Sequence, residues 1–153
     1  MKKLASVMML SLAILATPAS AGEWFRDNQV YTQTFDPEQL IERIRQDIGK
    51  TARELGLPRT TLWCSEYLNS VTEGGTGSAQ AKSWLSFPKV KQPRPGLIVV
   101  LKRGNSPSAG HVGVVEDFDN HYVYVLGGNQ GNRVSLSRYP RRMVIAYVDP
   151  LKN

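Results

Sequence analysis

The chain has 153 residues, 41% of them hydrophobic, with 19 basic against 13 acidic side chains, a formal charge of +6 and one cysteine. That length suits one domain with a real core, and no internal repeat, low-complexity tract or Ser/Gly-rich linker marks a second module. A single cysteine excludes a disulfide framework and any Cys-x-x-Cys motif. The mild positive charge lacks interleaved aromatics, so Arg133, Arg138, Arg141 and Arg142 read as a solvated face rather than a nucleic-acid surface.

Met1 to Lys3 is a basic start, Leu4 to Ala16 is apolar, and Ala19-Ser20-Ala21 is the small-x-small pattern of signal-peptidase cleavage. A signal peptide over 1–21, cut after Ala21, is expected. The apolar run is shorter than the ~20 residues a membrane span needs, and no later stretch is long enough either. The expected location is secreted, either periplasmic or extracellular. Cleavage removes Lys2 and Lys3 and takes the charge from +6 to +4. In an oxidising compartment an unpaired thiol invites wrong disulfides, so a lone exported cysteine calls for a function.

Gly22 to Phe35 scatters Trp24, Phe25, Tyr31 and Phe35 without a period and reads as an irregular arm. Asp36-Pro37 opens a helix with an acidic cap and proline in the first turn. Leu40, Ile41, Ile44 and Ile48 mark its buried stripe, and it is expected to run to about Leu55, with Gly49 able to divide it. This arm and helix, 22–56, are expected to form a single domain with the core, 57–153. After Pro58, Thr60 or Thr61 can cap a second helix containing Cys64 in its first turn. Cys64, Tyr67, Leu68 and Val71 repeat at i, i+3, i+4 and i+7, which turns the thiol toward the packed face. The positive end of the helix dipole favours a thiolate there. The plainer reading of such a cysteine is a small core residue.

Glu73 to Ser78 is turn-rich but lacks the Gly-Lys-Ser/Thr ending of a nucleotide loop. Ala79 to Leu85 reads as a short helix. From Pro93-Arg94-Pro95-Gly96 onward the chain reads as sheet: Leu97–Leu101, Gly110–Val115, Tyr122–Leu126, Val134–Leu136 and Met143–Val148. Asp119-Asn120 makes the second and third of these a hairpin. Helices followed by closely linked strands give an α+β domain with an antiparallel sheet of about five strands.

His111, at the start of its strand beside Gly110, is the candidate base for a thiol nucleophile, and alternation puts Gly113 and Val115 on its face. His121 follows the hairpin turn and reads as an exposed turn residue. A third group must accept from the far imidazole nitrogen, and Asn129 within Gly127–Asn132 is the candidate. Asp117 and Asp119 lie at the wrong end of the strand.

Taken in order, these motifs resemble the papain-like bacterial wall hydrolases of the NlpC and CHAP type, the latter meaning cysteine, histidine-dependent amidohydrolase/peptidase. The resemblance runs from about Leu57 to Pro150. It rests on Leu62–Asn69, Gly75–Ala79 with Ser83-Trp84-Leu85, Pro93–Gly96, Gly110–Val115, Leu126–Asn132 and Tyr139-Pro140. The order Cys, His, Asn fits the CHAP branch, and small stand-alone members are the nearest in form. Where the family commonly has Asp after the Pro-Gly turn, this chain has Leu97.

The resemblance implies a papain-like α+β fold and cleavage of a peptidoglycan amide bond by an amidase or endopeptidase. Cys64 would be the nucleophile, His111 base and then acid, and Asn129 the orienter, with no metal or cofactor. Ser78, Ser83, Trp84 and Gln130 border the motifs as candidate substrate-binding residues. The partner implied is peptidoglycan or its fragments, with an envelope protein as a further partner or inhibitor, and no nucleic acid. Two other readings are a wall-binding protein without turnover on the same fold and a periplasmic thiol redox protein using another chain's thiol.

Overall fold

A computed structural model describes residues 36–72 and 75–151. The signal-peptide and arm expectations, over 1–21 and Gly22 to Phe35, lie outside the described residues. Among the described residues, no helix is long and apolar enough to cross a membrane.

Helix α1, Pro37–Arg45, starts as its sequence dictates: Asp36 Oδ1 accepts from the Glu38 amide at 2.9 Å, and Pro37 occupies the first turn. Leu40, Ile41 and Ile44 are buried. The helix stops ten residues short of the expected end. Gly49, at φ 92, bends the chain away, and its amide donates to Val134 O while the Val134 amide donates to Lys50 O. The backbone thus exchanges helical bonds for bonds to the sheet, and Ile48 is left 49% exposed rather than buried.

Helix α2 is Cys64–Val71, with the cysteine as its first residue. Neither Thr60 nor Thr61 caps it: Trp63 takes the cap position and makes no side-chain capping bond. Cys64, Tyr67, Leu68 and Val71 are all buried, as the period requires. At its other end, Arg43 of α1 donates to the carbonyls of Ser70 and Val71, which serves the free acceptors and suits the negative end of the helix. A 3-10 turn, Ala81–Ser86, follows where a short helix was expected.

Among the described residues six strands form one antiparallel sheet: β1 Lys89–Val90, β2 Ile98–Lys102, β3 Gly110–Phe118, β4 Tyr122–Gln130, β5 Arg133–Pro140 and β6 Val144–Val148, in the order β1-β6-β2-β3-β4-β5. The molecule is α+β, with one strand more than expected because the two-residue β1 pairs with β6. Leu97, in the position where the family commonly has Asp, is itself buried.

Alternation sorts the apolar runs onto two faces. Ile98, Val100, Val112, Val114, Leu126, Val134 and Val148 pack with the helices, Trp63 and Trp84. Leu97, Val99, Leu101, Val115, Val123, Val125 and Tyr147 form a second cluster. β2 is therefore buried on both faces, which is why it reads as an unbroken β-branched run.

The helix and sheet approach most closely at Gly128. A Cβ there would lie 2.5 Å from Cζ3 of Trp63 and 2.8 Å from Cβ of Tyr67, so only glycine lets α2 settle on β4. Trp63 is fully buried, meets Tyr67 edge-on at 6.1 Å and donates from Nε1 to Asn132 Oδ1.

Candidate active site

Because α2 has no side-chain cap, its first amides are free to serve the thiol. The amides of Cys64, of Ser65 and, on β3, of Val112 act on Sγ and favour its thiolate. Pairing of β3 with β4 begins only at Val114, so the Val112 amide lies in the part of β3 without a β4 partner. Cys64 is 3% exposed, and burial raises its pKa above the ordinary thiol value, against the pull of these three amides and of Arg103. The helix end thus acts in the expected direction, but desolvation outweighs it.

The imidazole of His111 leaves the backbone one residue before the amide that serves the thiol. The register sets His111 opposite Leu101, on the face that carries Val99 and Val115. His111 is buried, and its pKa is lowered to about 4, first by desolvation and then by the charge of Arg103, while a bond from Gln130 acts the other way. At neutral pH the thiol is therefore protonated and the imidazole neutral.

The group on the far side of the imidazole is Gln130, not Asn129. His111 Nε2 and Gln130 Oε1 are 3.1 Å apart. The amide orientation is fixed by its other half: Gln130 Nε2 donates to Val125 O at 3.1 Å, to Gly127 O at 3.3 Å and to Ser135 O. With three carbonyls holding the NH₂ group, the oxygen must face the ring, so His111 carries its proton on Nε2 and leaves Nδ1 as the acceptor. Tyr139 completes the group, donating to Gln130 Oε1 at 2.9 Å with its ring 5.5 Å from the imidazole.

The exchange of Asn129 for Gln130 has a local cause. Between Gly127 and Gln130, β4 spends three steps where β5 spends two, which is a bulge, and Asn129 takes φ 61 there. Beyond it the alternation is offset by one, so Gln130 points where Asn129 would have pointed, and Asn129 is half-exposed.

A cleft of ≈ 380 Å³ opens on the thiol, and Ser78 and Gln80 line it together with Arg59, Leu62 and Arg103. Of the four substrate-binding candidates, Ser78 alone borders this cleft. Ser83 bonds to Gln80 O and Thr76 Oγ1. Trp84 is fully buried, its Nε1 donating to Ser65 Oγ at 2.9 Å, and Gln130 belongs to the imidazole. Tyr139 entered the sequence reading only through the Tyr139-Pro140 motif, without a role, and Arg103 had no sequence signal of its own. His121 is exposed in the hairpin turn, where Asp119 accepts from its amide.

Residues 56–129 match the family model of the CHAP domain. CHAP domains are generally hydrolases acting on peptidoglycan. No curated protein and no solved structure gave a match to the chain.

Within the matched segment, Ser65 ties α2 to the cleft wall. Its hydroxyl, fully buried, donates to Ser78 O at 2.6 Å and accepts from the Trp84 indole. Ser65→Ala would leave that indole N–H unpartnered in the core, so a loss of about 1–3 kcal/mol is expected, read as a lower urea midpoint at unchanged slope.

The buried imidazole also sets an acid limit on stability. Its pKa falls from 6.5 in the unfolded chain to about 4, so between these values the unfolded state binds more protons. Stability is complete above 6.5 and declines as pH drops through that window, by about 3 kcal/mol. Urea midpoints of the wild type and His111→Gln, compared across the window, should converge on acidification.

Proposed function

We propose that the chain is an exported cysteine hydrolase of papain-like fold that cleaves a peptidoglycan amide bond through an acyl-enzyme on Cys64. The observation that carries this is the fixed tautomer of His111: with Nε2–H committed to Gln130, Nδ1 is left to accept a proton, while the amide of the next residue, Val112, acts on the thiol at the helix N-terminus. The CHAP match supports the substrate class.

The resting pair is neutral, so the thiol proton moves as the bond forms. Sγ attacks the carbonyl while Nδ1 takes the proton, and the Cys64 amide helps to hold the oxyanion. The carbon–nitrogen bond then breaks, and the imidazolium returns the proton to the leaving amine. Water, activated by the same nitrogen, attacks the thioester and releases the acid, regenerating the thiol. Gln130 acts as the positioning residue in the role expected of Asn129.

Digestion of purified peptidoglycan, with the released fragments identified by mass, tests the reading and names the bond. Stem peptides or cross-link fragments are expected. A folded chain that releases nothing from several wall types, across acidic to alkaline pH, would overturn it.

A further inference from the structure

Two guanidinium groups, those of Arg59 and Arg103, line the cleft that opens on Cys64, and none of the residues lining it is acidic. Their situations differ. Arg59 is committed to Glu66, Nε to Oε1 at 3.0 Å. Arg103, in the loop between β2 and β3, has no carboxylate partner among the described residues. The charge of Arg103 nevertheless reaches the interior of the site, acting on Cys64, His111 and Tyr139 alike. The rest of the lining is small and neutral, including Ser78, Ala81, Ser108 and Gly110, so a ligand atom meets little else that is charged.

We propose that Arg103 is the anchor of an anion subsite that receives a carboxylate of the substrate within about one residue of the scissile amide. This rests on the hydrolase reading for the identity of the ligand as a peptide. An open cleft of this volume takes a few residues of peptide, so a charge that meets Arg103 while the scissile carbonyl meets Sγ must lie close to that carbonyl. Guanidinium matches carboxylate with two parallel hydrogen bonds, which an uncharged amide in the same position cannot reproduce. In wall stem peptides the glutamyl α-carboxylate is a charge at that distance, and its amidation removes the charge with little change of shape. The subsite therefore distinguishes amidated from unamidated walls.

The test separates the subsite from the chemistry. Binding of two stem peptides, identical except that the glutamyl α-carboxyl is free or amidated, is measured by calorimetry on Cys64→Ala, with and without Arg103→Gln or Arg103→Lys. About tenfold tighter binding of the free acid is expected, lost in Arg103→Gln and partly kept in Arg103→Lys. In the active protein, Arg103→Gln should erase a preference of about tenfold in kcat/KM for the free acid over the amidated peptide.

Equal binding of the two peptides, no binding of either, or a preference that survives Arg103→Gln would overturn the subsite. Turnover indifferent to the carboxylate would overturn it too while leaving the hydrolase reading intact. Arg103-dependent binding without turnover would uphold the subsite and count against the hydrolase.

Discussion

Cys64→Ala is expected to abolish release of wall fragments, by on the order of 10⁴-fold or more, since no other group in the site can take over the attack. The folded state should barely change. The substitution removes one buried atom, worth about 1 kcal/mol in the manner of a deleted methyl group, and the amides of Cys64 and Ser65 remain at a helix terminus that water can reach through the cleft. Cys64→Ser should fail as well, because a hydroxyl is a far weaker nucleophile than a thiol in the same place. The comparison needs rates and urea midpoints on the same preparations. Unchanged release would move the nucleophile elsewhere. Loss of release together with unfolding would return Cys64 to the role of a core residue, which its 3% exposure also suits. A wild type that binds wall without cutting it would favour the scaffold reading.

The second large effect concerns the partner of the imidazole. Gln130→Ala should lower kcat about 10²-fold, the low end of what a positioned base supplies, whereas Asn129→Ala should leave it within about threefold. The amide of Gln130 plugs the β4 bulge, so its loss also strips Val125 O, Gly127 O and Ser135 O of a donor and costs about 1–3 kcal/mol of stability. Stability alone cannot move a pH profile.

In the wild type, kcat/KM should rise through a pKa of about 4, where His111 gives up its proton, and hold level through neutral pH. Gln130 accepts from the protonated ring, so without it the acid limb should shift to lower pH. An unmoved limb, or an equal loss from Asn129→Ala, would remove Gln130 from the mechanism.

Much of this was legible along the chain because side-chain period and burial agree. The β-branched run at 97–101, the glycine beside His111 and the Asp-Pro start at 36–37 each dictate their structure locally, and the thiol at the head of a helix follows from a period of 3.6. What was not legible depends on pairing between distant segments. Gly49 ends α1 because Val134, far along the chain, takes its amide. Gln130 displaces Asn129 because one extra residue in β4 reverses which side chains face inward, and neither residue announces a bulge by its type. Arg103 reads as one more surface arginine until the β2–β3 loop carries it to the rim of the cleft. Trp84 looked like a substrate contact because it borders a motif, yet its indole is tied into the core by Ser65.

The strand order carries a consequence for how the molecule is made. β6 lies between β1 and β2, with Val148 paired to both Lys89 and Ile98. Until residues near 148 have left the ribosome, β1 has no neighbour and one edge of β2 is bare, although β2–β5 can already pair among themselves. Closure across some fifty residues is slow relative to hairpin formation, so the nascent chain passes through a period with an apolar central strand exposed at its edge. A chain in that condition is vulnerable to aggregation, and the late arrival of a single five-residue segment ends it.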